Sequence, residues 1–371
     1  MSEFTNENYT NDKIRALDAK FDAQKIAFAP LVFQAVRSLL ELDVLRVISD
    51  APVGKDGAEG LTLQELTEKT GLSNYGLRVL LEIALTVNIV KVQPEGGEDR
   101  FVLGKTGWFL LEDEMTRANF NFVNDVCYKG AFELTRSVKE GKPLGLEVFG
   151  HEGKTIYEVL SILPEPAKTS WFAYDHYYSD IQFKDALPIV FAGKPKKITD
   201  IGGNTAKWTI CCCRYDPNVE LTIVDLPGQI AVAEQEVKKA GFSDRVKTHT
   251  CNILNEETVI PPGADVVWMS QFLDCFSLED IVRIMKKVGK ASGPNTDVFI
   301  LEPLWDMQKY QTASYILQAT SIYFCCMANG KSKMYNSIEF KATIESSGFD
   351  VVEEWHHLGP NDYSLLRCRC R

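Results

Sequence analysis

The sequence of 371 residues has no apolar run of the length that crosses a membrane, which is roughly 18 to 20 residues. Its first eleven residues are polar and contain no apolar export core. We therefore expect a cytoplasmic protein with no membrane partner. The sequence also lacks a surplus of basic side chains, because 40 Lys and Arg stand against 51 Asp and Glu. The negative net charge repels polyanions, so we expect no nucleic acid partner and favour a small-molecule ligand.

The sequence also lacks the cysteine and histidine spacings of metal sites. It has ten cysteines and five histidines, but it contains no Cys-x-x-Cys pair and no histidine at zinc-ligand spacing from a cysteine. Three cysteines are adjacent at 211–213 and two at 325–326, and no export signal accompanies them. Reduced thiols are therefore expected, and we predict no structural metal.

The N-terminal third has the pattern of a winged helix. Apolar residues recur at helical spacing over 14–48, and a Gly-rich and Asp-rich loop follows at 50–60. Thr62 and Glu65 form a capping-box pattern that opens a short helix ending near Gly71, and Ser73 can cap the next helix. Two short strands are predicted at 89–92 and 100–103 around a turn at 94–97. The spacing therefore predicts a mostly helical winged-helix domain over residues 1–111.

The remainder of the chain divides into a helical connector and an α/β domain. Residues 112–185 have helical patterning with aromatic clusters, and they are predicted to contribute to a pocket. From residue 186 to 371, short apolar strands alternate with helices, which indicates a parallel sheet. Seven strands are predicted, the last two forming an antiparallel hairpin, at 197–201, 220–224, 246–250, 265–269, 297–301, about 350–356 and 363–370.

A glycine turn after the first of these strands is the main sign of a ligand site. Gly202 and Gly203 stand where a helix should begin, and they let the backbone turn tightly and approach a ligand. Asp225 closes the second strand, where a carboxylate can accept hydrogen bonds from both ribose hydroxyls of an adenosine. The alternative is a generic tight turn with a surface aspartate.

These motifs resemble those of class I methyltransferases, specifically the small-molecule O-methyltransferases of the plant caffeate and hydroxyindole type and their bacterial polyketide-tailoring relatives. Asp-Ile-Gly-Gly at 200–203 resembles the cofactor glycine motif, and Val-Asp-Leu-Pro at 224–227 resembles the signature after the second strand. Cys-Asn-Ile at 251–253 takes the place of the adenine contact, and 264–273 resembles the fourth strand with its loop. The resemblance covers nearly the whole chain.

The resemblance implies a Rossmann-like methyltransferase sheet of seven strands, S-adenosylmethionine as the cofactor, and a homodimer formed through the winged-helix domain. It also implies a set of residues that bind the cofactor. These are Asp200, Gly202, Gly203, Asn204, Asp225, Leu226, Asn252, Ile253, Ser270, Gln271 and Tyr177.

The sequence departs from the family pattern at the catalytic base. The usual His-Asp-Trp aligns with Asp-Cys-Phe at 274–276, and the later glutamate falls near Ser332 with no acidic match. Asn204 and Ala206 also replace glycines of the usual run. Asp274 can act as the base if burial raises its pKa towards neutrality; otherwise it caps a helix, and positioning alone accelerates transfer.

A second candidate for catalysis lies in the cluster Tyr-Asp-His-Tyr-Tyr at 174–178, on the helix before the first sheet strand. The family places residues there that cover the cofactor and touch the substrate, so His176 is a candidate catalytic residue and Tyr177 a candidate cofactor contact. The alternative is a packed aromatic helix face with a solvated histidine.

The sequence therefore favours methyl transfer to a hydroxyl of a small aromatic or polyketide-like acceptor. One rival is a non-methylating relative that binds the cofactor but has a changed or lost reaction. Another is a winged-helix transcription regulator that senses a metabolite. The acidic balance argues against the regulator, as does the second winged-helix helix, where Arg78 is offset by Glu82.

Overall fold

The computed structural model describes residues 7–51, 59–95 and 98–371. Contacts within the chain divide it into two compact units, Met1–Phe120 and Asn121–Arg371. The three-part division that we predict from the sequence, with boundaries after residues 111 and 185, stays a prediction. Parts of the predicted loop at 50–60 and of the predicted turn at 94–97 lie outside the described residues.

The first unit is mostly helical and contains one small antiparallel sheet. Its helices are α1 (Glu7–Thr10), α2 (Ala16–Glu41), α3 (Val44–Ser49), α4 (Leu63–Thr70), α5 (Asn74–Thr86), α6 (Lys105–Glu112) and α7 (Glu114–Phe122), the last of which continues into the second unit. Its strands are β1 (Leu61–Thr62), β2 (Val90–Glu95) and β3 (Glu98–Leu103), in the spatial order β1-β3-β2.

Local capping explains why the two central helices of this unit begin and end where they do. The Thr62 side chain accepts a hydrogen bond from the Glu65 N–H, and the Glu65 carboxylate accepts one from the Thr62 N–H. Gly71 ends α4 in the left-handed region with φ 71°, and Ser73 caps α5. The hairpin of β2 and β3 follows α5. The predicted helix, turn, helix and hairpin are therefore confirmed.

Helix α2 differs from the amphipathic helix that the sequence predicts. Val36 and Leu39, near its C-terminal end, are buried in the core of the first unit. Several large apolar side chains along its earlier turns are exposed in the single chain, namely Leu17, Phe21, Ile26, Phe28 and Leu31. The apolar spacing therefore correctly predicts a helix, but only its last turns pack inside the unit.

The second unit begins with helices and continues as an α/β domain. Its α-helices are α8 (Leu134–Glu140), α9 (Ile156–Val159), α10 (Ala167–Ser179), α11 (Phe183–Val190), α12 (Lys207–Tyr215), α13 (Pro227–Ala240), α14 (Leu278–Ala291), α15 (Gln311–Tyr323) and α16 (Ser337–Ser346). Two π-helical turns lie at Val123–Cys127 and Phe324–Ala328. Short 3-10 turns lie at Gly130–Glu133, Leu144–Phe149, Leu160–Ile162, Asp180–Gln182, Phe191–Gly193, Leu273–Cys275 and Trp305–Met307.

Seven strands form the sheet of the second unit, as predicted. They are β4 (Lys197–Ile201), β5 (Glu220–Asp225), β6 (Val246–Thr250), β7 (Val266–Ser270), β8 (Asp297–Glu302), β9 (Phe349–Leu358) and β10 (Tyr363–Cys370). Their spatial order is β6-β5-β4-β7-β8-β10-β9, and β10 is antiparallel to both of its neighbours. The chain reverses its direction of travel across the sheet between β4 and β7, which is where such folds bind ligands.

Helices cover both faces of this sheet. On one face, α14 and α16 pack a core that contains Ile284 and Phe340. On the other face, α11 and α12 pack against the strands, and Trp208 of α12 stacks on Trp268 of β7 with ring centroids 3.7 Å apart. The cysteines of α12 serve this packing, because Cys212 and Cys213 are buried there. No helix in the described part of the chain is long and apolar enough to cross a membrane.

The closing hairpin is irregular. His356 and His357 do not simply alternate faces of a strand, because the register of β9 against β10 shifts between Tyr363 and Leu365. His357 takes φ 61° at this bulge. His356 Nδ1 lies 2.9 Å from Ser364 Oγ, so this ring is engaged in a hydrogen bond within the hairpin.

Candidate functional site

A cavity of about 430 Å³ opens at the carboxyl ends of β4, β5 and β7, and all of its walls belong to the second unit. Its volume lies within the range of small-molecule sites. Eight residues that the sequence singles out line it: Gly202, Asn204, Asp225, Leu226, Asn252, Ile253, Gln271 and Asp274. Five others do not, namely Asp200, Gly203, Ser270, His176 and Tyr177.

The turn after β4 requires glycine at its first position. Gly202 has φ +75°, and a Cβ there would collide with the ring of Phe272. A Cβ on Gly203 would lie 2.8 Å from Ile223 Cγ2. Asn204 and Ala206, which replace glycines of the family pattern, still adopt positive φ of 45° and 63°. The turn is therefore tight despite these two substitutions.

The carboxylate of Asp225 lies at the tip of β5, beside this turn. Its Oδ2 accepts a hydrogen bond from the Asn204 N–H at 2.9 Å, and its Oδ1 accepts one from the Leu226 N–H at 2.7 Å. Burial raises the pKa of Asp225, while these two backbone donors act in the opposite direction. Each oxygen has a second lone pair that remains available to a ligand.

Asp200 supports the turn from beneath rather than lining the cavity. Its side chain is buried, and its Oδ2 accepts a hydrogen bond from Thr209 Oγ1 of α12 at 2.7 Å. Burial raises the pKa of Asp200 to about 7, against the effect of this hydrogen bond, and the charge of Asp225 raises it further. Asp200 therefore connects the strand to the helix that follows the turn.

The last residue of β7 and the first residue of the loop after it have side chains with open hydrogen-bonding capacity. Gln271 takes φ 44°, and within the described residues its buried Oε1 has no hydrogen-bond partner. Ser270 Oγ is likewise buried and unpartnered in the described chain, but Ser270 does not line the cavity. A cavity with unpartnered polar atoms along its wall is suited to a polar ligand.

Asp274 lies in the 3-10 turn Leu273–Cys275 and is 5% exposed. Its Oδ1 is buried, and none of the described residues donates a hydrogen bond to it. Burial raises the pKa of Asp274 to about 7, and the neighbouring charge of Asp175 adds to this effect. Asp274 does not cap the following helix, because that position is filled by Ser277. The cap interpretation is therefore wrong, and the pKa has the value that a base near neutral pH requires.

Two acidic residues that the sequence analysis does not single out belong to this region. Asp175 of α10 lines the cavity, and its Oδ2 accepts a hydrogen bond from Asn204 Nδ2 at 3.3 Å. Burial raises the pKa of Asp175 to about 6, although His176 acts to lower it. Glu302, at the end of β8, is 2% exposed and accepts hydrogen bonds from the backbone of the loop that carries Asp274. An acid at the tip of an apolar central strand is the signal that identifies Glu302.

His176 and Tyr177 lie on the part of α10 that does not line the cavity. His176 Nδ1 is 3.8 Å from the carboxylate of Asp180, and this carboxylate raises the pKa of His176. The backbone carbonyl of Tyr177 accepts a hydrogen bond from Asn361 Nδ2 at 3.4 Å. The residues of this cluster that do line the cavity are Tyr174 and Asp175.

Four side chains, Phe122, Trp171, Tyr174 and Tyr323, form what we call the aromatic wall of the cavity. Phe122 stacks on Tyr174 with ring centroids 4.0 Å apart and meets Tyr323 edge-on at 4.9 Å. Trp171 Nε1 donates a hydrogen bond to the Tyr323 hydroxyl at 2.7 Å. The wall is therefore an interlocked apolar surface suited to a flat ring.

A glycine turn, an acid on the neighbouring strand tip and a crevice at the reversal of strand order define an α/β protein that binds a nucleoside-containing ligand. A family model for an O-methyltransferase domain matches residues 133–350, and a model for a Dimerisation2-like domain matches residues 20–101. The chain belongs to this O-methyltransferase family, as the sequence motifs suggest.

Individual relatives are distant but extend over most of the chain. The L-tyrosine C(3)-methyltransferase of Streptomyces lavendulae is 21% identical over 88% of this chain and 85% of its own length. The structure of mitomycin 7-O-methyltransferase has a TM-score of 0.69 at 20% identity and covers 96% of this chain and 98% of its own. Human N-acetylserotonin methyltransferase, solved with S-adenosylmethionine, has a TM-score of 0.65 at 16% identity, covering 96% and 99%.

S-adenosylmethionine is accordingly the cofactor, and the residues of the cavity fit it. Gly202 lines the cavity with its backbone alone, and Asp225 presents free lone pairs at the strand tip. The unpartnered Oε1 of Gln271 can also accept a hydrogen bond from a ligand that carries donor groups. Among the described residues, no group of three metal-binding side chains is found.

Proposed function

We propose that this methyltransferase transfers the methyl group to a hydroxyl oxygen of a small aromatic or polyketide-like molecule. The observation that carries the proposal is the position of Asp274. Its buried carboxyl group, with an open oxygen, lines the same cavity as Asp225 and the aromatic wall. A ring held against the wall would bring a hydroxyl to a group that can accept its proton.

The binding roles follow from the contacts of the sheet edge. Asp225 accepts hydrogen bonds from the ribose hydroxyls with the lone pairs that Asn204 and Leu226 leave free. Ile253, after β6, provides an apolar surface for the adenine ring. The turn at Gly202 admits the amino-acid portion of the cofactor, because glycine presents only its backbone to the cavity.

When bound, the cofactor would supply a methyl group on a positively charged sulfur, which would keep the electron pair of the S–CH3 bond as the methyl group passes to the acceptor oxygen. The proton of the acceptor hydroxyl passes to Asp274, whose pKa of about 7 leaves a useful fraction ionised at neutral pH. The aromatic wall positions the ring and excludes water. We assign this proton transfer to Asp274 rather than His176, because His176 does not line the cavity.

Methylation of a ring carbon is a second candidate, favoured by the tyrosine C(3)-methyltransferase relative. In that reaction the carbon beside the hydroxyl would form the new bond to the methyl group, and the hydrogen on that carbon would be lost to solvent as a proton, which restores aromaticity. The carboxylate of Asp274 would take up the hydroxyl proton as the bond forms and return it to the oxygen afterwards. Proton NMR of the product separates the two, because only oxygen methylation removes the hydroxyl and keeps every ring hydrogen.

We also propose that the protein acts as a homodimer in the cytoplasm. The match to a Dimerisation2-like domain over residues 20–101 supports association, and so do the exposed apolar side chains along α2, such as Ile26 and Leu31. All ten cysteines are free, as a reducing compartment would keep them. Light scattering on a size-exclusion column is expected to give twice the chain mass, and charged replacements of Ile26 and Leu31 should reduce it.

Calorimetry and labelled methyl transfer test the proposed function together. Wild-type protein is expected to bind S-adenosylhomocysteine, and Asp225→Asn should weaken this binding at least tenfold. Asp244→Asn is the matched control, since Asp244 is exposed and does not line the cavity. With methyl-labelled S-adenosylmethionine and 2-naphthol, mass spectrometry should detect the methyl ether. If the folded wild-type protein does not bind S-adenosylhomocysteine, the proposed function is wrong.

A further inference from the structure

The polar side-chain atoms of the aromatic wall form hydrogen bonds within the protein. Trp171 Nε1 and the Tyr323 hydroxyl are joined by a hydrogen bond of 2.7 Å, and the Tyr174 hydroxyl lies 2.8 Å from Thr320 Oγ1. Nearby, Asn329 uses its amide on Cys275 O and on Ser332. Each polar side-chain atom of the aromatic wall is therefore engaged within the protein, and the wall presents mainly ring faces to a ligand.

Two buried oxygens beside the aromatic wall remain open. In the described chain, the Tyr157 hydroxyl and Asp274 Oδ1 have no hydrogen-bond partner, and both side chains line the cavity. The two side chains line the same cavity, and Cys275, the residue after Asp274, lines it with them. A buried polar group without a partner is costly, so a ligand that satisfies both gains affinity.

The charge along the cavity has one predominant sign. Five acidic side chains and a single lysine are found among the charged residues that line it. The lysine, Lys331, is exposed, whereas Asp274 is buried and Asp175 is half-buried. A carboxylate placed against the aromatic wall would therefore face Asp274 and Asp175 with no buried cation among the lining residues to offset them.

We infer that the acceptor is an uncharged hydroxyarene, with its hydroxyl held between the Tyr157 hydroxyl and the Asp274 carboxyl group, and that arenes with a carboxylate beside the hydroxyl are excluded. Tyr157 donates a hydrogen bond to the acceptor oxygen, and Asp274 receives the hydroxyl hydrogen. Tyr157 is thus a further substrate-contacting residue. The inference rests on the proposed function in one respect, namely that the cavity takes an acceptor beside the cofactor.

Three matched probes test the inference by calorimetry on protein saturated with S-adenosylhomocysteine at pH 8. They are 2-naphthol, 3-hydroxy-2-naphthoate and methyl 3-hydroxy-2-naphthoate, of which the ester controls for size without charge. We expect 2-naphthol and the ester to bind with similar affinity. The carboxylate should bind at least tenfold more weakly, since it adds a negative charge beside Asp274.

Two variants separate the roles of the open oxygens. Asp274→Asn removes the opposing charge, so the difference between ester and carboxylate should shrink to less than about threefold. Tyr157→Phe removes a single hydrogen bond and should weaken the binding of 2-naphthol by about 3-fold to 10-fold. Both should leave the affinity for S-adenosylhomocysteine unchanged, which shows that the variants are folded.

Three results would overturn the inference. One is a carboxylate that binds as well as its ester, and Lys331→Met would then show whether the lysine holds it. Another is Tyr157→Phe binding 2-naphthol as tightly as the wild type does. The third is binding of S-adenosylhomocysteine without binding of any probe. Failure of the proposed function is distinguishable, because S-adenosylhomocysteine itself would then not bind.

Discussion

The carboxyl group of Glu302 accepts a hydrogen bond of 2.9 Å from the backbone N–H of Leu273, the residue immediately before Asp274. The same Oε1 accepts a second bond from the Phe272 N–H at 3.1 Å. The loop that carries Asp274 is therefore attached to the end of β8. Burial raises the pKa of Glu302 well above its usual range, and the charge of Asp274 adds to the effect. Glu302 is a positioning residue for the proposed base.

Two replacements of Glu302 should show whether its hydrogen bonds or its charge stabilise the fold. Glu302→Ala leaves two buried N–H groups without an acceptor and should lower the free energy of unfolding by about 2 to 5 kcal/mol. Glu302→Gln keeps an acceptor of the same shape, and because the native group tends to be protonated, the loss should stay within about 1 kcal/mol. Urea unfolding measures both values. Equal losses in the two variants would contradict a role for Oε1 in holding the loop.

Asp274→Asn should affect the chemical step and not cofactor binding. The amide cannot take up the acceptor proton, so kcat/KM for a phenolic acceptor should fall by about 10² to 10⁴. Calorimetry should give S-adenosylhomocysteine affinity within twofold of wild type. The matched control is His176→Asn, which changes a residue outside the cavity and should keep kcat/KM within threefold. Loss of activity in the control and not in Asp274→Asn would reverse the assignment of the base.

The pH profile of the wild-type enzyme should report the same carboxyl group. The pKa of Asp274 is raised to about 7, and a base is active only when it is ionised. Activity should therefore rise about tenfold between pH 6 and pH 8 and level off above. This rise in activity between pH 6 and pH 8 should be absent in Asp274→Asn, whose residual rate depends on positioning alone. Steady-state kinetics across this range are the measurement, and a wild-type rate independent of pH would count against Asp274.

The glycine turn provides a test of the cofactor crevice. Gly202→Ala places a Cβ against the Phe272 ring at a residue with φ +75°. It should weaken the binding of S-adenosylhomocysteine at least tenfold and lower the free energy of unfolding by about 1 to 3 kcal/mol. Gly228→Ala is the control, because a Cβ there meets open space on α13. It should stay within about 1 kcal/mol of wild type. Normal binding by Gly202→Ala would mean that the turn tolerates side chains.

Asp200 should make stability depend on pH. Its folded pKa of about 7 exceeds the unfolded value of about 3.9, so the folded state holds an extra proton between these limits. Its contribution to stability is present below pH 4 and is lost as the pH rises through 7. Asp200→Asn cannot ionise, so its unfolding free energy relative to wild type should rise by on the order of 2 to 4 kcal/mol over this range. The exposed control Asp244→Asn should show no such trend in urea titrations at several pH values.

The number of strands and the acid at the sheet edge could be read from the sequence because they rest on short-range patterns. Seven apolar segments predict seven strands, and the acid that ends the second segment, Asp225, reaches the cavity as expected. The boundaries differ by one or two residues where pairing continues. Strand β5 includes Asp225, whose carbonyl accepts a hydrogen bond from the Cys251 N–H.

The rotation of a helix could not be read in the same way. On α10, Trp171, Tyr174 and Asp175 are three or four residues apart and share the face that lines the cavity. His176 and Tyr177 fall outside it, although their chemistry is more suggestive in the sequence. Packing of α10 against distant elements, as in the hydrogen bond from Trp171 to Tyr323, decides which residues face inward. Glu302 stands at the tip of an apolar strand, which is a sequence signal, but its role could not be predicted, because its partners are loop amides that no sequence pattern identifies.

The ten thiols differ in their availability to chemical reagents. Burial raises the pKa of nine of them, and the remaining one, Cys370, is exposed at the end of β10. Thiolate is the form that attacks a maleimide, so a dye added at neutral pH should couple first to Cys370. A fluorescent reporter can thus be attached to the native chain at a single place, at the end of β10 opposite to Ser364, which pairs with Glu302 near the loop that carries Asp274.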